Sequence, residues 1–370
     1  MNPLLRLSPV FEVLAHNVEV LPAMGHAMED LVRPDEDEEL DRKLNQDVRV
    51  VDTLFETPDC EWYHNVPPIS RLQKHLFRYF LDGSRRSYFL GTAIEGEHAT
   101  PIQLAQIGAA VVRRDASGKM RAASTRSQLL LLLSKKQLSD DVWSQLEKVV
   151  AGIPDLTLED ISRDDPINGT PAANVDLRNR GGGKTNWAMH RMEVALANDL
   201  KDRGPNDWLI VDGSLSFEPA ITVPRTIGVA KSFNKELEFQ LHRCGRREKK
   251  SLFHLFSDLK AEQRTAVWAM KGGKVAFWYL RLREQGTMDY PLMGVIKVEI
   301  RPTSGDALDS ALVDDISRCL VAERHVTPYG RDSRWHVHLY PIFLTEQVIK
   351  NNMISGDVLR NGIRWPFPTA

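Results

Sequence analysis

The alternation of apolar and polar positions divides the chain into short segments. Two apolar, β-rich runs, Ser87 to Ala93 and Ile102 to Val112, are bounded by glycine, proline and charge and predict antiparallel strands that follow Asp82 directly. Between Ser139 and Val150, Val142, Trp143, Leu146 and Val149 fall at helical spacing. The stretch NGTPAANVDLRNRGGG, Asn168 to Gly183, reads as a loop and is the clearest internal break. A helix is predicted from about Asn186 to Lys201, with Met189, Met192, Val194, Leu196 and Leu200 on its apolar side and Gly204-Pro205 ending it. The run Trp208-Leu209-Ile210-Val211 then predicts a buried strand that delivers Asp212-Gly213 at its end. Thr226 to Ala230 is a further strand, and Ala266–Met270 and Val275–Leu282 flank Gly272-Gly273 as a hairpin, with Val295 to Ile300 extending the sheet. A helix around Leu308 to Val321, a strand from Trp335 to Tyr340 and a helix from about Leu344 to Met353 complete the pattern. Such a mixture predicts an α/β sheet and not a helical bundle.

Composition narrows the class. With 370 residues, 42% hydrophobic and 26% charged, the sequence is that of a folded protein of one large or two ordinary domains. No apolar run is long enough to span a membrane, and Glu12 and Glu19 interrupt the N-terminal stretch where a signal peptide would need an apolar segment, so no membrane association and a cytoplasmic location are expected. Cys60, Cys244 and Cys319 lie far apart without a CxxC pair, which argues for reduced structural thiols over a disulfide framework or a zinc site. The net charge of −2 conceals an asymmetry: residues 1–60 carry 5 Lys/Arg against 14 Asp/Glu, so the rest of the chain is mildly basic. The acidic run Asp35-Glu36-Asp37-Glu38-Glu39 reads as a solvated helix start or connector. The basic run from His242 to Lys250 is either a solvated face or a surface that guides a nucleic-acid strand through Arg243, Arg246 and Arg247.

The chemistry-bearing signal is a repeated word, Leu81-Asp82-Gly83-Ser84 and Val211-Asp212-Gly213-Ser214-Leu215. Alone, each Asp-Gly reads as a turn in which the aspartate bonds its own backbone. Placement weighs against that: one aspartate opens a strand set, the other closes an apolar strand, and Glu193 lies in the helix between them. Ribonuclease-H-like sheets gather carboxylates around divalent cations in this order. Phosphodiester cleavage needs an activated water and neutralisation of charge on the attacking and leaving oxygens, which Mg²⁺ or Mn²⁺ can supply, and such hard cations require oxygen ligands.

These residues resemble the NurA nuclease family. Its pattern is a DGS, a glutamate on a helix, a strand ending in DGSL, a G-[hydrophobic]-x-K segment and a late YPxxL element. They correspond here to Asp82-Gly83-Ser84, Glu193, Asp212-Gly213-Ser214-Leu215, Gly228-Val229-Ala230-Lys231-Ser232 and Tyr340-Pro341-Ile342-Phe343-Leu344, across roughly residues 78–355. The resemblance implies a ribonuclease-H-like mixed sheet flanked by helices with N-terminal and inserted elaborations. It divides the chain into an acidic segment at 1–75 for dimer or partner contact, a nuclease domain at 76–355 and a tail at 356–370. It further implies Mn²⁺- or Mg²⁺-dependent DNA cleavage through Asp82, Glu193 and Asp212, a homodimer, and partnership with a HerA-type hexameric ATPase in end processing or anti-phage defence. Lys231 would contact phosphate, and Tyr279 resembles a family aromatic near the site. One departure stands out. Family members commonly place a histidine ligand soon after YPxxL, where this chain has Thr345-Glu346-Gln347-Val348; Glu346, or His336 or His338, could replace it.

Gly181-Gly182-Gly183-Lys184-Thr185 invites a nucleotide-binding reading, but Arg178 occupies the position where a phosphate-binding loop needs its first glycine. A flexible loop, or a phosphate contact through Lys184, fits better. The leading expectation is a DNA nuclease; the alternatives are a non-catalytic subunit of the same fold that docks on a translocase ring, or a phosphoesterase on small nucleotides. If the basic run guides DNA, an Arg246→Ala/Arg247→Ala double variant binds DNA more weakly and with a flatter salt dependence, which titration at several salt concentrations measures.

Overall fold

The computed structural model describes residues 4–23, 50–57, 61–70, 73, 75–162, 174–200, 202–217, 220–243, 246–270, 274–286, 290–302, 306–326 and 334–366. The acidic run at 35–39, Cys60, Cys244 and the Gly272-Gly273 turn lie outside them. Among the described residues no helix is long and apolar enough to cross a membrane. The chain forms a mixed α/β structure around one large sheet flanked by helices.

The sheet is built outward from three long antiparallel strands. Strands β1 (Glu19–Pro22), β2 (Val50–Val51), β3 (Glu56–Thr57) and β4 (Tyr63–Asn65) are short, whereas β5 (Phe77–Glu95), β6 (His98–Arg114) and β7 (Met120–Leu133) form a meander. Next come α1 (Ser8–Asn17) and α2 (Asp140–Ala151), which pack together beside the meander, and β8 (Leu156–Asp160), which adds parallel to β7. Helix α3 (Asn174–Asn198) crosses one face and leads to β9 (Trp208–Asp212), which pairs parallel to β5; β10 (Thr226–Ala230) adds parallel to β9. Beyond β10 lie β16 (Val295–Ile300), β15 (Val275–Arg281), β13 (Gln263–Thr265) and β4, with β14 (Trp268–Met270) also pairing β15. The hairpin β11 (Glu238–Arg243) and β12 (Arg246–Ser251) stands off the sheet, and α4 (Leu252–Asp258) follows it. Strand β17 (Leu308–Asp309) pairs with β3, and α5 (Ser310–Ala322), α6 (Tyr340–Asn352) and α7 (Gly356–Gly362) end the chain.

Strand alternation sorts side chains onto two faces. Tyr79, Leu81, Leu209 and Val211 pack with Leu196 and Ala197 of α3. Phe80, Ile210, Val229 and Val298 turn the other way, onto Val313, Ile316 and Leu320 of α5 and Ile342 of α6. Asp82 shares the parity of Phe80 and Gly83 that of Leu81, so the DGS word straddles the sheet. The N-terminal segment is part of this framework, since β1 pairs with β5 and Phe11 stacks on Trp365 with centroids 4.8 Å apart.

Three local expectations are corrected. Asp82-Gly83 is neither a turn nor the start of a strand but lies inside β5, paired with Ala110 and Ala109. The presumed break before Gly183 is helical from Asn174 onward. Glycine disfavours a helix, yet Leu177, Gly181 and Thr185 recur at four-residue spacing and face the sheet, and a Cβ at Gly181 would lie 2.3 Å from Gln103 Oε1. Packing of one face overrides propensity there. The strand predicted from Trp335 to Tyr340 is a 3₁₀ turn, Trp335–Val337, followed by the start of α6 at Tyr340. Pro341 explains this: its fixed φ suits the first turn of a helix, and its missing N–H is not needed there.

Glu323 fastens the start of α6 to the sheet. Its carboxylate takes both terminal nitrogens of Arg114 in β6 and lies 3.0 Å from His75 Nδ1, while its backbone carbonyl accepts from Tyr340 N at 2.8 Å. Burial would raise its pKa, but His75 and Arg114 outweigh that and hold it below the ordinary value. A depressed carboxylate contributes stability that is present above its unfolded pKa, about 4.3, and is lost as pH falls below that. Glu323→Ala leaves the Arg114 guanidinium without its partner and should cost roughly 3–5 kcal/mol in urea unfolding at pH 7; the difference from wild type should shrink on acidification.

Candidate metal centre

Three carboxylates from distant parts of the sequence meet at the middle of the sheet. Asp82 comes from β5, Asp212 from the last position of β9, and Glu346 from the second turn of α6. Each offers an oxygen, and these oxygens lie within 4.8 Å of one another. Strand pairing explains the first two, since Leu81 is in register with Val211 and Asp82 and Asp212 follow on neighbouring strands. The third depends on α6 packing across β5 and β6, where Ile349 and Met353 cover Ala110, the partner of Asp82.

Lys231, one residue past β10, supplies the countercharge. Its Nζ is 2.7 Å from Asp212 Oδ2 and 3.9 Å from Glu346 Oε1, and its side chain is 9% exposed. Burial alone would lower its pKa, but Asp212, Glu346 and Asp82 outweigh burial and raise it. Asp82 is pushed well above the usual carboxylate range, first by burial and then by Asp212; Lys231 opposes this, and Glu346 and Glu193 add to it. At the rim, Lys350 Nζ lies 3.3 Å from Glu346 Oε2, so the three carboxyl groups face two ammonium groups.

Its donors suit a hard divalent cation. All three are carboxylate oxygens, the ligand type Mg²⁺ and Mn²⁺ prefer. Oxygens on opposite sides of one Mg²⁺ lie about 4.2 Å apart and adjacent ones lie closer, so these three would have to draw inward slightly to hold one ion. Asp82, Asp212 and Glu346 would hold the ion, with Lys231 beside them.

The segment after Asp212 is anchored from below. Glu299 Oε2 accepts from Ser214 Oγ at 2.7 Å and Leu215 N at 2.8 Å, and Glu299 Oε1 is 2.7 Å from Lys297 Nζ. Both partners of this ion pair are buried. Gly228 leaves room for the same segment: a Cβ there would lie 2.7 Å from the carbonyl oxygen of Gly213, which itself adopts φ +114°. Charged residues at alternate positions of an otherwise apolar strand, Val295-Ile296-Lys297-Val298-Glu299-Ile300, are the sequence signal that marks the pair.

The remaining candidates divide clearly. Glu193 approaches from the α3 side, where a Cβ at Gly83 would lie 2.6 Å from its Oε1, and it is 3.1 Å from His190 Nδ1. It therefore stands behind the strand that bears Asp82, outside the set of three. His190, three residues earlier on the same helix, carries no motif, and only its helical spacing from Glu193 signals it. His338 is buried with Nδ1 3.8 Å from Glu346 Oε1, while His336 Nδ1 accepts from Gly294 N at 3.0 Å, away from the cluster. Tyr279 lies in a core aromatic cluster with Phe233, Phe239, Phe256 and Phe277. Lys184 sits on α3, 3.3 Å from Glu159 Oε2. Arg247 is exposed on β12; the side chains of Arg243 and Arg246 lie outside the described residues.

Sequence comparison with protein-family models finds no match, and comparison with curated proteins finds none either.

Lys231→Met removes the buried ammonium that pairs with Asp212, and leaves Lys350 at the rim beside Glu346. The variant should unfold at lower temperature than wild type in EDTA, and Mn²⁺ should recover more of that loss than it adds to wild type. Thermal unfolding of both proteins with and without Mn²⁺ tests this; a variant that Mn²⁺ leaves unchanged would exclude ion binding by these carboxylates.

Proposed function

We propose that this chain is a divalent-metal-dependent deoxyribonuclease of the NurA type. The observation that carries the reading is the convergence of Asp82, Asp212 and Glu346 beside Lys231. A bound Mn²⁺ or Mg²⁺ would supply charge neutralisation and an activated water for phosphodiester hydrolysis. Lys231, whose pKa is raised, keeps its proton and so serves as a charge partner for phosphate and not as a base. Glu193 and His190, behind Gly83, fix the strand that presents Asp82.

Two further features support the reading. Apart from the inserted α2 and β8, the order of elements, three antiparallel strands, then a helix bearing Glu193, then a parallel strand ending in Asp212, matches the order in which a ribonuclease-H-like sheet collects its acids. Glu346 falls where the family pattern puts a histidine, and it reaches the other two acids. A homodimer, a HerA-type hexameric ATPase partner, a cytoplasmic location and a role in DNA end processing or anti-phage defence belong to the same proposal.

Digestion of end-labelled single-stranded and duplex DNA tests it. Wild type should cleave with Mn²⁺ or Mg²⁺ and not in EDTA. Asp82→Asn, Asp212→Asn and Glu346→Gln should each lose more than the roughly 10- to 100-fold that loss of an outer partner costs. Wild-type rates in Asp212→Asn would sink the assignment. A wild-type protein that binds Mn²⁺ yet cleaves no DNA, even with the motor and ATP, would point instead to an assembly subunit.

A further inference from the structure

Helix α3 carries a surface that the carboxylate cluster does not use. Glycine is among the least favourable residues in a helix interior. At Gly181 close packing on Gln103 accounts for it, but at Gly183 nothing among the described residues lies within 4 Å of where a Cβ would sit, and the residue is exposed. One turn further along the same side is Trp187, 44% exposed among the described residues. Two cations flank its ring, Lys184 with Nζ 5.8 Å and Arg191 with Cζ 4.6 Å from the centroid.

Charge on this stretch is one-signed. From residue 178 to 192 the helix contains Arg178, Arg180, Lys184 and Arg191 and no acidic residue. Arg178 stacks on Phe89, and Arg180 donates to the carbonyls of Ile161 and Ser162, so both serve the fold. Arg191 is exposed, and Lys184 meets Glu159 only in a partly exposed pair of the kind that contributes little to stability. An open helix backbone, an exposed indole and two available cations lie side by side.

We propose that the 183–191 face of α3 binds single-stranded DNA, with a base stacked on Trp187 above Gly183 and phosphates paired with Lys184 and Arg191. The proposal rests on the nuclease reading for the identity of the polymer. An exposed indole favours a single strand because stacking needs a base with a free face, which a duplex keeps inside its own stack. The cations fit the phosphates, and bare Gly183 lets the strand lie close to the helix. Trp187 precedes Glu193 by six residues, about 9 Å along the helix axis, so a strand held here would lie over the sheet face opposite to that onto which Asp82 turns.

Fluorescence anisotropy of a labelled oligothymidylate, and of a duplex of equal length, in EDTA measures binding without cleavage. The single strand should bind more tightly than the duplex. Trp187→Ala should weaken binding by about 5- to 150-fold and Trp187→Phe by much less. A Lys184→Gln/Arg191→Gln double variant should flatten the slope of log K against log salt by about 1.4. Gly183→Leu should raise Tm, because leucine favours the helix, and yet weaken binding. Unchanged affinity in Trp187→Ala, or a duplex bound as tightly as the single strand, overturns the proposal. Since no cleavage is involved, a Trp187 effect that persists while Asp212→Asn still cleaves would sink the metal-site reading and leave the docking surface standing.

Discussion

Three carboxylates crowded around one buried ammonium, Lys231, with Lys350 reaching only Glu346 at the rim, set the main constraint on this structure. Burial, and next the neighbouring carboxylate of Asp212, raise the proton affinity of Asp82, so the arrangement is unfavourable unless positive charge is present. Lys231 provides part of it. Much of the surrounding fold serves to hold the acids in place against their repulsion: β5 and β9 are fixed by pairing in a buried sheet, and α6 is tied down at its first residue through Glu323. A protein selected for stability alone would gain by replacing such a cluster with apolar side chains.

The Lys297–Glu299 pair belongs to the same design. It is fully buried, in the middle of an apolar strand, and its hydrogen bonds reach Ser214 and Leu215. Buried ion pairs are weak contributors to stability, but they impose direction. Here the direction is the path of the chain just beyond Asp212. Glycine at 228 allows that path, glycine at 213 turns it, and Glu299 pins it. On the opposite side of β5, the carboxylate of Glu193 fills the space left by Gly83. At the first DGS word a missing side chain thus lets a charged group approach the backbone, whereas at the second the glycine turns the chain.

Sequence pattern made the central strands legible because they are buried on both faces. Trp208 to Val211 and Ile227 to Ala230 match continuous apolar runs, and Val295 to Ile300 matches an apolar run broken only by Lys297 and Glu299. It failed where tertiary packing overrode local preference. The three glycines of α3 look like a loop until Leu177, Gly181 and Thr185 are seen to share one buried face. Strand β7 escapes a periodicity test because its first half is largely exposed while its second half is a buried leucine run. At the site, Asp82 and Asp212 were marked by a repeated word, and Glu346 only by its position after Tyr340-Pro341. Glu193 carries a helical signal but stands behind the strand, and no spacing in the sequence reports which side of a sheet a helix will occupy. Tyr279 sits in a motif-like run, yet four neighbouring aromatic rings claim it for the core.

The three acids sit at positions 82, 212 and 346, and the helix that carries the last of them is anchored by Glu323 and Tyr340. A growing chain emerging from the ribosome therefore contains two of the acids long before the third, with the ammonium of Lys231 already beside them. The cluster can be completed only when nearly all of these residues have been made and α6 has docked. The order of residues along the chain thus makes Glu346 the last of the three acids to join the cluster.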